Sequence, residues 1–173
     1  RHKKVLIKPE DVKNIKDNKI TLVKKFLTLE KNYDFNFISN LLEKDNLEVM
    51  QKSQYSPLKN IYQIRYANNS VQEFMVFFDF LRKLFKYKLD DKDGIDLFMS
   101  FVTQTGTPHI DPEDVFIIGL EGEVIYRTYG DDNKDYKICK GDLIYIPKGL
   151  KHRVIGLTPR IIASVGFFER GDK

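Results

Sequence analysis

The spacing of apolar residues changes character once along the chain, close to Gly94. Before that point, helical spacings alternate with short β-branched stretches. Pro9 suits the first turn of a short helix, PEDVKNI. ITLVKKF, residues 20–26, is β-branched at its start and predicts a strand. Asp34 precedes FNFISNLLEK, apolar at Phe35, Ile38, Leu41 and Leu42, which is helical spacing with Asp34 as N-cap. IYQIRYA, residues 61–67, alternates as a strand does. The strongest helical signal is the stripe Val71, Phe74, Met75, Phe78, Leu81 and Phe85. Ser70 and Glu73 precede it in the S-x-x-E pattern of a capping box. Such a stripe is read as the face that packs on a sheet rather than as a ligand groove.

Beyond the polar stretch LDDKDG, residues 89–94, the pattern is one of short strands and turns. IDLFMSFVTQ, DVFIIGL, EVIYRTYG, YKICKGDLIYIPKG, KHRVIGL and PRIIASVGFFE predict about seven strands, with a hairpin turn at GDDNKDY. DVFIIGL is apolar on both faces, so it is expected to be covered on both sides. The expected fold is mainly β with N-terminal helices (α+β), a barrel or jelly roll over residues 95–168. Residues 1–94 form a mixed α/β region packing on it, the two making one compact domain.

Composition narrows the function classes. The chain of 173 residues is 42% hydrophobic and 31% charged, a globular balance. No apolar run approaches the roughly 20 residues of a membrane span. The first residues, RHKKVLIKPEDVKN, are basic but lack the apolar core of a secretion leader. The single Cys139 cannot make an internal disulfide, which fits a reducing cytoplasm, the expected location. The net charge of +4 is uneven: residues 1–31 hold ten Lys and Arg against four Asp and Glu. The rest of the chain is slightly acidic, and HIDPEDVF around His109 is acidic too. A nucleic-acid partner is therefore not expected, and the basic segment is read as a solvated face.

The chemistry concentrates in the histidines. His2 lies at the start of the chain, whereas His109 and His152 fall among the predicted strands. In a strand, residues i and i+2 share a face, so His109 and Asp111 can enter one pocket. His152 follows in GDLIYIPKGLKH, where Gly141 and Gly149 permit tight turns and Pro147 fixes the approach. Two histidines and one carboxylate make a facial triad that leaves about three positions open on an octahedral metal.

These residues carry a family resemblance. Gly141-x5-Pro147-x-Gly149-x2-His152 resembles the second cupin motif, with Gly156 in place of its final Asn. In the first motif, His109-x-Asp111 stands where two histidines are usual, and Val115 or Phe116 occupies the place of its glutamate. HIDPEDVFIIGLEGE, GDLIYIPKGLKH and PRIIAS, in that order, resemble the JmjC and JmjC-like hydroxylases of the cupin superfamily over residues 95–168. The resemblance implies a double-stranded β-helix barrel buttressed by helices, holding Fe(II) at His109, Asp111 and His152. It implies a dioxygenase that uses 2-oxoglutarate as cosubstrate, with the metal centre itself as the catalytic element. The family usually carries a Lys or Arg where Val124 stands, to hold the distal carboxylate of 2-oxoglutarate. Arg160 is then the leading candidate for that role, with Thr105 and Tyr126 as hydrogen-bonding helpers. Read on its own, Arg160 is more readily a surface or structural arginine.

Two other readings remain open at the level of sequence. One is a metal-binding cupin of different chemistry, a dioxygenase or isomerase without 2-oxoglutarate, which Val124 favours. The other is a non-enzymatic small-molecule-binding module. The substrate, a small molecule or a protein side chain, is not specified by the sequence. A homodimer is common for such barrels, though no residue here demonstrates one.

Overall fold

The structure, a computed structural model, describes residues 6–45, 49–51, 61–101, 106–130 and 133–171. Helix α1, Pro9–Lys16, opens with proline at its start, where the missing N–H costs nothing, and closes with Lys13 and Lys16 on its negative end. Strand β1, Thr21–Val23, is shorter than the β-branched run suggested, because Lys25 turns into the left-handed region at φ 51°. Helix α2 spans Phe35–Asp45, and Asp34 Oδ1 accepts the Phe37 N–H at 3.0 Å, the N-cap that the sequence predicts.

Strand β2, Val49–Gln51, and β3, Tyr62–Ile64, follow. The strand expected over residues 61–67 stops early because Tyr66 adopts φ 53° and leads into a 3-10 turn, Ala67–Asn69. Helix α3 spans Gln72–Leu84. The capping box is not formed. The N-cap residue is Val71, without a side-chain cap, since Ser70 is taken up by the end of the 3-10 turn. Glu73 instead meets Lys31 at 2.7 Å.

Among the described residues, seven strands then follow: β4 Gly94–Ser100, β5 Asp114–Glu121, β6 Val124–Thr128, β7 Lys134–Ile138, β8 Leu143–Ile146, β9 His152–Gly156 and β10 Arg160–Phe167. They close into a jelly roll of two antiparallel sheets. The larger has the order β1-β8-β5-β10-β4-β3-β2, so N-terminal strands extend the barrel's own sheet at both edges. The smaller is β7-β6-β9. Residues 106–109 run beside β9: Gly106 donates its N–H to Val154 O at 2.7 Å, and His109 and His152 form an antiparallel bridge.

Alternation along the strands divides the core in two. Val115, Ile117 and Ile162 point between the sheets, onto Val124, Tyr126 and Ile138. Phe116, Ile118, Val165 and Phe167 point to the outer face, where α3 lies. This explains why β5 is apolar on both faces, as expected. Phe78 stacks on Phe167 and Phe85 on Phe116, each with ring centroids 5.3 Å apart. Every ring so buried contributes about 1.5–3 kcal/mol. Val71, Phe74, Phe78, Leu81 and Phe85 are buried as predicted, and Phe77 joins them against Phe26. Among the described residues, no helix is long and apolar enough to cross a membrane.

Candidate metal centre

The site is built where two chain segments cross. Pro108 and Pro112 bracket the first. Neither has an N–H to give, so no strand ladder can run through them. His109 therefore sits in an isolated bridge and Asp111 in an irregular stretch rather than in the strand that the sequence suggested. The pair still converges, because Gly149 donates its N–H to the Asp111 carbonyl at 3.1 Å. The second segment is the turn before β9. Gly149 there has φ 83°, and Gly141, in the turn before β8, has φ 87°, the left-handed conformation that favours glycine.

His109, Asp111 and His152 come together, with one ligand atom from each lying within 4.8 Å of the others. Asp111 Oδ2 is 3.2 Å from His152 Nε2, and Asp111 Oδ1 is 3.8 Å from His109 Nε2. The orientation of both rings is fixed from behind. His109 Nδ1 lies 2.9 Å from the Thr107 carbonyl oxygen and His152 Nδ1 2.9 Å from that of Leu150. A carbonyl can only accept, so Nδ1 is the donor in each ring, which leaves Nε2 as the atom of a neutral ring that can face a metal. Two imidazole lone pairs and a carboxylate, backed by carbonyl partners, fit one divalent transition-metal ion.

A cavity of about 340 Å³ opens beside these three residues and extends into the barrel to Tyr126 and Arg160. Arg160 is only 4% exposed, and burial lowers its pKa below the ordinary arginine value, opposed by the phenol of Tyr126. Tyr126 is fully enclosed, its ring centroid 6.4 Å from that of His152. Among the described residues, its hydroxyl has no hydrogen-bond partner. Burial raises its pKa most, Arg160 lowers it and Asp111 raises it. An enclosed donor with no acceptor, beside a buried guanidinium, fits an anionic ligand group. Thr105 lies outside the described residues. Val124 faces the apolar interior between Ile138 and Gly156 and is buried.

The sequence reading overlooked Glu113 and Asp96, which also line the cavity. Glu113 sits above Gly166, where a Cβ would come within 2.4 Å of it. Burial, then Asp111, Asp93 and Asp96, push its carboxyl up to about 7. Its place two residues after Asp111 was a local signal. Asp96 had none, since only the sheet register brings it there.

Comparison with known proteins agrees with the fold. The family model described as Cupin domain matches residues 99–164. YcfD, a ribosomal oxygenase from Escherichia coli solved in complex with cobalt and 2-oxoglutarate, superposes with a TM-score of 0.73 at 16% identity. That superposition covers 99% of this chain and 54% of the other, so the chain spans about half the length of that structure. An oxidoreductase of the 2OG-Fe(II) oxygenase family from Burkholderia pseudomallei gives a TM-score of 0.61 at 10% identity, over 91% of this chain and 88% of that one. Identities this low establish the fold. A Caenorhabditis elegans protein named Probable inactive acireductone dioxygenase 1 is 35% identical over 65 residues, 36% of this chain and 41% of that protein.

Proposed function

We propose that the protein is an Fe(II)- and 2-oxoglutarate-dependent oxygenase of the JmjC-like type. The observation that carries this reading is that one cavity contains both the His109, Asp111 and His152 donors and the buried pair Arg160 and Tyr126. The metal and 2-oxoglutarate, bound together, would supply the chemistry in which O2 converts a substrate C–H to C–OH while 2-oxoglutarate becomes succinate and CO2.

The protein's own part is positional and electrostatic. His109 and His152 offer Nε2 and Asp111 a carboxylate oxygen. Arg160 receives the distal carboxylate of the cosubstrate, and the Tyr126 hydroxyl donates to it. A guanidinium buried beside such a group forms a strong charge-assisted bond, since little water competes. Ile117, Ile162 and Val154 line the cavity and restrict water. The structural likeness to YcfD and to the Burkholderia oxygenase supports this reading.

A second reading, a metal-binding cupin that works without 2-oxoglutarate, is favoured by Val124 and by the local likeness to the Caenorhabditis elegans protein. One experiment separates them. Fe(II)-loaded protein is incubated with 2-oxoglutarate, O2 and a broad substrate panel, and succinate is measured. Succinate release supports the oxygenase. Metal retention with neither 2-oxoglutarate binding nor succinate favours the second reading, and failure to retain any metal leaves only a non-enzymatic binding module.

A further inference from the structure

We infer that Asp114 is a positioning residue for the metal centre: its buried carboxylate holds the turn before His152 and, through it, both the His152 ring and the Asp111 backbone. The inference rests on the metal-centre reading above. Asp114 opens β5, three residues after Asp111, and is 6% exposed. Its Oδ1 accepts the Lys148 N–H at 2.9 Å. Its Oδ2 accepts the Tyr87 hydroxyl at 2.7 Å and lies 3.5 Å from Arg170 Nε.

Lys148 lies inside the turn that delivers His152. The next residue, Gly149, donates its N–H to the Asp111 carbonyl, and Leu150 donates to Pro147 O at 3.3 Å. The Leu150 carbonyl in turn receives the proton of His152 Nδ1 at 2.9 Å. Asp114 therefore grips one end of a short relay whose other end sets the direction of the His152 lone pair. The Gly149 bond ties the same turn to Asp111.

The carboxylate is itself anchored from the outer side of the large sheet. Arg170 donates to Ile15 O at 2.7 Å, to Lys16 O at 3.2 Å and to the Tyr145 hydroxyl at 3.1 Å. Tyr87, from the segment after α3, and Arg170, which α1 holds in place, thus meet on one carboxylate whose other oxygen takes the Lys148 N–H. Asp114 touches no ligand atom, so its effect is on the spacing of the donors and not on the chemistry.

The test is Co(II) affinity of the full chain, by competition with a chromophoric chelator, beside melting temperature and the Co(II) absorption spectrum. Asp114→Ala is expected to weaken Co(II) binding by about 10–100-fold, the usual range for partners behind metal ligands, and to change the spectrum. Asp114→Asn, which keeps an oxygen for the Lys148 N–H, restores most of the affinity. Asp142 provides the comparison: 2% exposed, it accepts the Lys25 and Cys139 N–H groups at 2.8 Å each, away from the ligand turn. Asp142→Ala lowers the melting temperature but leaves Co(II) affinity unchanged. If Asp114→Ala does not fold, Asp114→Glu keeps the charge, shifts the acceptor by one methylene and is expected to show the same loss. Wild-type Co(II) affinity in the folded Ala or Glu variant overturns the inference. Absence of Co(II) binding by the unaltered protein overturns the metal-centre reading and the inference with it.

Discussion

His109 and His152 are backbone partners: each donates its N–H to the other's carbonyl, at 2.8 and 3.0 Å. Two candidate ligands from distant parts of the chain thus share one ladder rung, which sets their separation before any side chain is placed. Replacing one imidazole leaves that rung intact. We expect His109→Ala, Asp111→Ala and His152→Ala each to fold and each to weaken Co(II) binding at least about 100-fold, more than the loss of a partner behind the ligands. His152→Ala should lower the melting temperature most, because its ring is 2% exposed. Metal content after dialysis, measured by mass spectrometry, decides the matter, and an Ala variant with full occupancy removes that residue from the set.

Arg160→Ala is expected to raise the dissociation constant for 2-oxoglutarate by about 10–100-fold, the equivalent of about 1.5–3 kcal/mol for a hydrogen bond to a charged group. Arg160→Lys should recover only part, since an ammonium cannot reproduce the two-pronged geometry. Anaerobic calorimetry with Co(II)-loaded protein measures this directly. Turnover that persists with unchanged 2-oxoglutarate affinity in Arg160→Ala would keep the reaction and transfer the anchor to another residue.

Tyr126→Phe should move stability and binding in opposite directions. The hydroxyl is enclosed and unpartnered among the described residues, so its removal stabilises the ligand-free protein by about 1 kcal/mol. The same change weakens 2-oxoglutarate binding about 10–100-fold, the worth of one hydrogen bond to a charged carboxylate. Urea denaturation and calorimetry on the same variant test both halves. Loss of stability would show that the hydroxyl has a structural partner.

Asp93 gives a pH dependence with a definite sign. Burial first, then Asp90, raises its carboxyl from 3.8 to about 6. The folded state holds this proton more tightly than the unfolded one, so the stabilisation is complete below about 3.8 and is lost as pH rises through about 6. Asp93→Asn should flatten that decline and raise the melting temperature at pH 8. A variant that melts at the same temperature as the parent at pH 8 contradicts this.

Two phenylalanines on α3 should respond differently. Phe78→Ala is expected to cost about 3–5 kcal/mol, since its ring stacks on Phe167 in the outer core. Phe80, 37% exposed, should cost under about 1 kcal/mol when replaced by alanine. Chemical denaturation of the two variants under identical conditions checks the contrast. Equal losses would mean that the helix is held by its whole circumference and not by one face.

What was legible in the sequence was local. The period of α3, the two-residue spacing of His109 and Asp111 and the glycine–proline frame before His152 each lie within about a dozen residues, and each is present in the structure. What was illegible depends on register between remote segments. Asp96 reaches the cavity because β4 lies beside β10, with Ser164 opposite Asp96. Asp114 reads as an ordinary strand-opening acid until Tyr87, Lys148 and Arg170 gather round it. The Ser70 and Glu73 pattern misled because the preceding turn takes up Ser70 and Lys31 pairs with Glu73. Arg160 was legible only through the order of motifs, since nothing in its neighbourhood marks it as buried.

The continuity of the large sheet sets the order in which the molecule can assemble. Thr21 pairs with Tyr145, and Arg160 with Ser100, so strands far apart in the chain must meet before either edge is complete. Each closure has its entropic cost before the contacts that offset it exist. Helix α3, with its local spacing, can form early, but β1 has no neighbour until β8 is in place. A sheet of this topology belongs with slow folders, on the order of milliseconds to seconds rather than microseconds. His109 and His152 come from segments that meet only through such a long-range pairing, so the candidate metal site should form with the sheets and not ahead of them.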